Sequence, residues 1–430
     1  MNRVAKNAVW IIGGKVAQSV MALIINMLTA RYLGPSNFGL ITYASSLVAF
    51  VLPIMQLGFS NVLVREIVDK PDEEGRTLGT AIFLSFLSSI CCIIGVASFA
   101  YVVNPNEPET VIVCLLYSFI LIFQAIDHIE FWYQAKLLSK YSSIISLVSY
   151  IAVSAYKIFL LVTAKSVYWF ALSNALDYAC ISIGGVILHK KLGGQKLSFS
   201  SSIGKKMFLK SKHYILSSMM VTIFAQTDKI MIKMMIGESA TGYYGAAVAC
   251  AGMTSFIFAA IIDSFRPSVF EGQKVGEDVF SYRLTTLYSI IIYLSLTQSV
   301  VMSVMSKLII FILYGEAYYP AVNTLRIVVW YTTFSYMGSV RNIWILANEK
   351  QKYLWKINLF GAIANVVLNY ILIPLIGING AAVASLITQF FTNVIVGYII
   401  KPIRSNNRLI IEAIKPRYLL DAFKKMRWNY

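Results

Sequence analysis

Charged residues are scarce in this chain of 430 residues, at 13% of the total against about 25% in a typical soluble domain. Hydrophobic residues make up 58%, and the mean hydropathy is +0.69. This composition is typical of membrane proteins and excludes a large soluble domain. The net charge of +17 could indicate a nucleic-acid partner, but the distribution of the basic residues, described below, gives it another origin.

Cysteine and histidine are also few. All five cysteines lie in apolar runs, where a thiol behaves as a small buried hydrophobic group rather than as part of a disulfide or metal framework. Three histidines occur, with no H-E-x-x-H pattern and no His/Cys cluster. The sequence therefore predicts no metal site.

Motifs for nucleotide binding and catalysis are missing as well. GGK at 13–15 lacks the earlier glycine and the following Ser or Thr of a P-loop, and GINGAA at 377–382 is typical of a turn before a small-residue helix face. No external segment is predicted to be longer than 306–320, whereas membrane glycosyltransferases and polymerases generally need a long external loop. We therefore expect neither an enzyme nor a bound cofactor, and because no ATP site is predicted, an H+ or Na+ gradient is the expected source of energy.

Long apolar runs dominate what is present. A helix needs about 20 mainly apolar residues to span a bilayer, and twelve runs meet this requirement. The chain is therefore predicted to be an all-α membrane protein with twelve transmembrane helices. The predicted spans are 8–30, 38–60, 77–101, 110–132, 142–164, 167–189, 213–236, 242–265, 284–306, 321–346, 353–374 and 379–400.

Lysine and arginine are unevenly divided between the two ends of these spans. Of the 37 basic residues, 28 lie at the N-terminus, after even-numbered spans or in the C-terminal tail, and three lie at the other ends. This excess predicts that both termini are cytoplasmic. The same excess accounts for most of the net positive charge, so no nucleic-acid partner is needed to explain it. The basic loop 190–212 is therefore interpreted as a signal that sets the membrane topology. The tail 401–430 is interpreted as a basic amphipathic segment that binds membrane lipids.

An internal repeat divides the chain into two halves. LGPSNFGLITYASS from Leu33 matches IGESATGYYGAAVA from Ile236 at an offset of 203, and WYQAKLLSKY at 132–141 matches WILANEKQKY at 344–353 at an offset of 212. Each half holds six predicted spans, an even number, so both halves enter the membrane from the same side. We predict two six-helix lobes, 1–200 and 205–400, related by a parallel repeat and separated by a central cavity.

Polar side chains recur at helical spacing within the spans, which predicts polar helix faces around a hydrated interior. Lys229 and Lys233 share a face and repel each other, an arrangement that is easier to explain if an anion binds there. Two alternatives stay open: hydrogen bonds between packed helices, and structural ion pairs of the cations, Lys229 with Asp228, Asp177 or Asp263. The predicted substrate-binding residues are Lys15, Asn26, Lys157, Gln226, Lys229, Lys233, Arg341, Asn365, Asn369 and Gln389.

A smaller group of acidic residues also lies within the predicted spans. A carboxylate inside a membrane protein can carry a coupling proton or sodium ion. The sequence does not single out one residue for this role. The candidates are Glu130, Asp177, Asp228 and Asp263.

Four motifs together resemble one family of membrane proteins. ARYLGPSNFGLITYASS, TDKIMIKMMIGESATGYYGAA, LYGEAYYPAVNTLRI and GINGAAVASLI are similar to segments of the polysaccharide-transporter (Wzx-type O-antigen flippase) family, within the multidrug/oligosaccharidyl-lipid/polysaccharide exporter superfamily. The resemblance covers nearly the whole chain in the expected order. One motif departs: where the family tends to place an acid after its aromatic-Gln-Gly run, this chain has Leu137.

The resemblance implies a substrate and a place in the cell. Members of the family move an oligosaccharide, such as an O-antigen unit, on undecaprenyl pyrophosphate from the cytoplasmic to the periplasmic leaflet of the bacterial inner membrane. It also implies a polysaccharide polymerase and a chain-length regulator as partners. The alternatives are a multidrug cation antiporter of the same superfamily and, from another class, a membrane polymerase or ligase. A lipid II flippase is disfavoured because that relative usually has fourteen helices.

Overall fold

A computed structural model describes residues 3–420, with the side chains of 3–17, 20 and 61 excepted. Within that range the regular elements are helices, and no strand is present. The helices are α1 (Arg3–Met55), α2 (Leu63–Asp69), α3 (Glu74–Val103), α4 (Pro108–Ser118), α5 (Ile120–Ile126), α6 (Ile129–Ala135), α7 (Ser139–Val162), α8 (Val167–Lys191), α9 (Ser201–Met235), α10 (Glu238–Gly252), α11 (Ser255–Val275), α12 (Glu277–Val304), α13 (Ser306–Tyr314), α14 (Ala321–Ala347), α15 (Leu354–Ile376), α16 (Ile378–Phe390), α17 (Val396–Ile399) and α18 (Arg404–Ala413).

The all-α membrane class is confirmed, but the number of spans differs from the prediction. Ten helices in the described part of the chain are long and apolar enough to cross a membrane, against twelve predicted. Helix α1 contains the predicted span 8–30 and most of the predicted span 38–60 as one helix with a kink, and it ends at Met55. The more polar α14 coincides with the predicted tenth span without being among the ten.

Gly34 explains why two predicted spans form one kinked helix. Its backbone has φ 70° and ψ 174°, a conformation that glycine adopts without the steric penalty of a Cβ atom. Pro35 follows, and its fixed φ and missing N–H allow a helix to restart at that point. The chain can therefore turn between two apolar segments without a loop.

By their contacts the residues group into two compact units, Met1–Gly242 and Tyr243–Tyr430. In the first unit α9 packs against α1 and α3, and a buried core forms around Tyr43 and Phe170. In the second unit α12 packs against α14, with Tyr288 and Trp344 in its core. The lobe boundaries 1–200 and 205–400 remain a prediction about the repeat.

The described part of the predicted C-terminal tail contains α18. This helix packs against α12 and buries Asn406, Asn407, Ile410 and Ala413, so it is an integral part of the second unit. Its burial explains why a segment of low hydropathy is ordered, since its apolar and amide side chains face inward. Residues 421–430 lie outside the described residues.

Candidate functional site

Lys233, near the end of α9, belongs to an ion cluster that joins three segments of the first unit. Its side chain is buried, and its Nζ lies 2.5 Å from Glu107 Oε2 and 3.3 Å from Glu238 Oε2. Glu107 precedes α4, and Glu238 begins α10. Ser36 of α1 also donates a hydrogen bond to Glu238 Oε1 at 3.3 Å. We call Lys233, Glu107 and Glu238 the Lys233 cluster.

The electrostatics of this cluster favour its charged form. Hydrogen bonds from Lys233 and then Thr110 hold the pKa of the Glu107 carboxyl below its usual value, against the opposing effect of burial. The two carboxylates remain partly exposed, at 45% and 38% of their side-chain surface, while the lysine side chain is 1% exposed. The buried ammonium is therefore neutralised by acids that keep contact with solvent.

The Lys233 cluster corresponds to the ion-pair alternative that the sequence left open, but with other partners. Neither acid was among the carboxylates proposed from the sequence. Glu238 could have been found, because it follows Lys233 by five residues across the turn at Gly237. Glu107 could not, because 126 residues separate it from Lys233 and only the packing of the helices brings the two together.

Lys229 lies one turn earlier on α9 and has a different environment. It is half-buried, and its Nζ donates a hydrogen bond to Gln226 Oε1 at 3.1 Å. Asp228 acts on it electrostatically and is itself buried. Lys229 and Gln226, both predicted substrate-binding residues, are thus in direct contact as a cation and an amide.

Lys157 of α7 has a similar environment at the contact between α7 and α8. Its Nζ donates a hydrogen bond to Asn174 Oδ1 at 3.0 Å. Asp177, one turn later on α8, acts on Lys157 electrostatically and accepts a hydrogen bond from Ser149 at 2.8 Å. Among the side chains that the structure describes, neither Lys157 nor Lys229 forms an ion pair. Asn174 was not predicted as a site residue.

The other acidic candidates occupy different positions. Glu130 accepts a hydrogen bond from Gln134 at 3.0 Å. Asp263 forms an ion pair with Arg266 at 2.9 Å, and both side chains are about half exposed. Within the described residues, no group of three or more His, Cys, Asp or Glu side chains could hold a metal ion.

The predicted polar residues of the second unit form hydrogen bonds within its core. Asn369 donates to Asn365 Oδ1 at 3.1 Å, and Asn365 lies 3.5 Å from Ser385 Oγ on α16. Gln389 accepts a hydrogen bond from a neighbouring amide at 2.7 Å. The contact between Asn365 and Ser385 joins two packed helices, α15 and α16, whereas the other two contacts each link residues four apart in one helical segment.

Three further predicted residues have separate environments. Arg341 is buried on α14 and donates to the Thr392 carbonyl at 2.7 Å. Asn26 is half-buried on α1. The side chain of Lys15 lies outside the described residues. The structure thus gives Lys157 and Lys229 amide partners and gives Lys233 acidic ones.

Comparison with solved structures shows which fold the chain shares. The lipid II flippase MurJ in an inward closed conformation is 14% identical over 95% of this chain and 92% of its own, with a TM-score of 0.71. An inward-facing multidrug resistance MATE family transporter of the MOP superfamily is 13% identical over 93% and 96%, with a TM-score of 0.65. A MOP superfamily transporter from Pyrococcus furiosus is 12% identical over 94% and 95%, with a TM-score of 0.57.

At these identities the shared feature is the fold. A comparison with curated proteins gives no match. A family model described as polysaccharide biosynthesis protein matches residues 4–273, well over half of the chain. The chain therefore belongs to the polysaccharide biosynthesis protein family, and it has the fold of MOP-superfamily transporters.

Proposed function

We propose that this protein is a flippase that moves an oligosaccharide linked to undecaprenyl pyrophosphate from the cytoplasmic to the outer leaflet of a bacterial inner membrane. Its family supports a role in making polysaccharide, and its fold supports transport. One of the structures that share this fold is a lipid II flippase. An O-antigen unit or a similar repeat unit is the proposed cargo, and a polymerase and a chain-length regulator are the proposed partners.

The observation that carries the proposal is the environment of Lys157 and Lys229. Both cations lie in apolar helices, and both donate their hydrogen bonds to neutral amides rather than to carboxylates. A charge within the membrane is costly unless another group compensates it. The anionic pyrophosphate of the substrate would supply that compensation, while the neighbouring amides suit sugar hydroxyl groups.

Coupling to an H+ or Na+ gradient fits the same region. Asp177 lies one turn from Asn174, the amide that binds Lys157, and it interacts electrostatically with that lysine. Binding of a proton or sodium ion at Asp177 would make the potential at Lys157 more positive and strengthen anion binding there. Asp228 offers the corresponding position beside Lys229, while Asp263 and Glu130 are weaker candidates because of their partners. Alternating access would complete the cycle.

The test uses a strain that lacks this protein and depends on it for surface polysaccharide. Lys157→Ala and Lys229→Ala should each reduce surface polysaccharide at least about tenfold, the effect of about 1.4 kcal/mol on binding. Lys229→Arg should retain most of the export because it keeps the charge. Lys205→Ala, on the exposed start of α9, is the matched control. Export at the normal level by both alanine variants, with equal amounts of protein in the membrane, would disprove the role of these cations.

A multidrug cation antiporter is the second candidate, because MATE transporters share the fold. The two lysines argue against it, since positive charges would repel a cationic drug. Drug sensitivity of a pump-deleted host decides between the two candidates. A flippase should leave that sensitivity unchanged, whereas an antiporter should raise resistance.

A further inference from the structure

A group of basic residues surrounds the start of α18 in the second unit. Two helical segments that are apolar enough to span a membrane, Gln351–Ile376 and Ile378–Ile399, pack against each other and are joined by Gly377 alone. Because one residue joins them, Gln351 and Ile399 lie at the same surface of the membrane. Both of these ends are flanked by cations. The six cations, which we call the basic patch, are Lys350, Lys352, Lys356, Lys401, Arg404 and Arg408.

A direct contact joins the two halves of the basic patch. Lys350 Nζ donates a hydrogen bond to the Pro402 carbonyl at 2.6 Å and lies 4.4 Å from the centre of the Trp344 ring. Trp355 is 44% exposed, and Lys356 Nζ lies 5.7 Å from the centre of its ring. Tryptophan is enriched at the interface between lipid and water, where its ring lies at the level of the headgroups. The basic patch is thus one surface at the membrane boundary.

Two tyrosines of α12 hold α18 at that boundary. Tyr288 Oη donates a hydrogen bond to Asn406 Oδ1 at 3.1 Å, and Tyr293 Oη donates one to the Ile414 carbonyl at 2.6 Å. Helix α12 is itself long and apolar enough to span the membrane. Because α18 begins five residues after Ile399 and is tied to α12 near both of its ends, it lies along the membrane surface and does not extend away from it.

The outward face of α18 combines cations with large apolar side chains. Arg404 and Arg408 are exposed about one turn apart, and Ile411 follows on the same face with 53% of its surface exposed. Ile414, just beyond the end of the helix, is 58% exposed. A helix with such a face lies in the membrane interface, where its apolar side chains contact acyl chains and its cations reach the headgroups.

The protein itself does not compensate the charge of the basic patch. Among the side chains that the structure describes, none of its six cations forms an ion pair. Two acids lie close in the sequence, Glu349 and Glu412, and Glu412 already accepts a hydrogen bond from Tyr418 at 3.0 Å. Each cation near an anionic membrane surface strengthens binding by roughly fivefold. Six cations against two acids therefore favour anionic headgroups.

We propose that the basic patch and the outward face of α18 bind an anionic phospholipid of the surrounding leaflet. Its phosphate would lie among Lys401, Arg404 and Arg408, and an acyl chain would lie against Ile411 and Ile414. A free phosphate ion lacks the chain that the two isoleucines would contact, so the lipid is the better occupant. This lipid belongs to the surrounding membrane and is not the transported substrate, so the site does not depend on the proposed function.

Thermal unfolding of the purified full-length protein in detergent tests this site. Dioleoyl phosphatidylglycerol and dioleoyl phosphatidylcholine carry the same chains, so any difference between their effects reports the charge of the headgroup. Phosphatidylglycerol should raise Tm more than phosphatidylcholine does, because it binds the folded protein more tightly. The combined variant Lys401→Gln, Arg404→Gln and Arg408→Gln should remove this difference. It should also weaken phosphatidylglycerol binding, measured by native mass spectrometry, at least about tenfold.

Two matched variants control for folding and for net charge. Lys401→Arg with Arg404→Lys and Arg408→Lys keeps all three charges and should keep the preference for phosphatidylglycerol. Unfolding without added lipid checks that each variant is folded. The set that removes the same charge from exposed positions of α9 should also keep the preference; it is Lys205→Gln, Lys206→Gln and Lys212→Gln.

Three outcomes would overturn the proposal. Equal loss of the preference in the glutamine variants of α9 and α18 would show an effect of net charge and no site. Unchanged phosphatidylglycerol binding by the α18 variant would exclude its three cations as the headgroup site. Stabilisation by inorganic phosphate equal to that by phosphatidylglycerol would exclude the lipid as the specific occupant.

Discussion

At the scale of single residues, the contrast between Lys229 and Lys233 carries most of the functional argument. The two lysines are four positions apart on one helix, and the sequence gives them the same expected role. Lys233 is held by Glu107 and Glu238, whereas Lys229 is held by the amide of Gln226. The charge of Lys233 is thus compensated by two acids, whereas Lys229 has a neutral partner, and the proposed function assigns the anionic substrate to the second kind of site.

The Lys233 cluster predicts an unusual order of stability among its charge variants. Glu107→Gln combined with Glu238→Gln leaves a buried ammonium without a counter-ion, which should cost about 3–5 kcal/mol. Lys233→Met removes the buried charge and leaves two carboxylates in contact with solvent, so it should cost less than about 1.5 kcal/mol. Thermal unfolding in detergent measures the order. The triple variant should recover most of the stability that the double variant loses.

The pH dependence of stability tests whether the contribution of Glu107 to the Lys233 cluster is ionic. The pKa of Glu107 is lowered in the folded protein, so its contribution to stability is complete above the ordinary carboxyl pKa of about 4.3 and is lost as the pH falls through the lower folded value. The difference in Tm between the native protein and Glu107→Gln should be constant from about pH 7 to pH 5 and shrink below that. A difference independent of pH would contradict the ionic origin.

The sequence predicted the local contacts of the site better than the distant ones. Helical spacing placed Gln226 and Lys229 on one face, and their hydrogen bond follows from an i,i+3 separation. The partners Lys157 and Asn174 lie on different helices, so their contact depends on how α7 packs against α8. Periodicity identifies a polar face, but only packing determines which polar group on a neighbouring helix meets it.

At the scale of elements, the two segments that revealed the repeat contact each other. A Cβ atom added at Gly39 would lie 1.8 Å from the Glu238 carbonyl oxygen, and one added at Gly242 would lie 2.1 Å from the Pro35 carbonyl oxygen. Pro35 and Glu238 are equivalent at the offset of 203, as are Gly39 and Gly242. Equivalent positions of the two segments therefore approach each other's backbone reciprocally.

This contact predicts opposite effects of alanine at two glycines of the same helix. Gly242→Ala places a methyl group against the backbone of α1, which cannot rotate away, and should cost about 1–3 kcal/mol. Gly252→Ala on the same α10 meets open space and should be neutral or stabilise by up to about 1 kcal/mol, because alanine is the better helix former. Thermal unfolding compares the two variants directly.

Gly39→Ala tests the reciprocity of the contact. Because Gly39 contacts Glu238 as Gly242 contacts Pro35, the two alanine variants should lower Tm by similar amounts. They should also couple, so that the double variant loses less than the sum, since one displacement of α10 from α1 relieves both clashes. A Tm for Gly242→Ala equal to that of Gly252→Ala would contradict the close approach.

Element boundaries were predictable where hydrophobicity sets them and unpredictable where tertiary contacts interrupt a helix. The span predicted at 110–132 corresponds to α4, α5 and α6, which break near Phe119 and at Asp127–His128. His128 is buried and lies 3.1 Å from Ser85 of α3 through its Nε2 atom. A helix that places a buried imidazole against a neighbouring hydroxyl can interrupt its own hydrogen bonding, and hydropathy carries no signal for such an event.

At the scale of the whole molecule, the distribution of basic residues predicts how the chain is oriented in the membrane. Under the proposed function the orientation would set the direction of transport, because a substrate made in the cytoplasm would enter from the side where the termini are predicted to lie. The three predicted spans between the loop at Gly193 and the loop at Gly315 are an odd number, which places these two loops on opposite sides of the membrane. The loop at Gly193 lies within the basic linker, and few basic residues surround Gly315.

Reporter insertions at these two loops test the orientation. Alkaline phosphatase inserted after Gly193 should be inactive and a fluorescent protein at that position should fluoresce, because the positive-inside rule places this loop in the cytoplasm. Insertions after Gly315 should give the opposite pair of signals. The two reporters control for each other, since a protein that fails to insert gives neither signal. If both loops gave the signals of the same side, an even number of membrane crossings would separate them. Reversed signals at the two loops would place the termini outside the cytoplasm. Lys157 and Lys229 would then have to bind a substrate that enters from the opposite face.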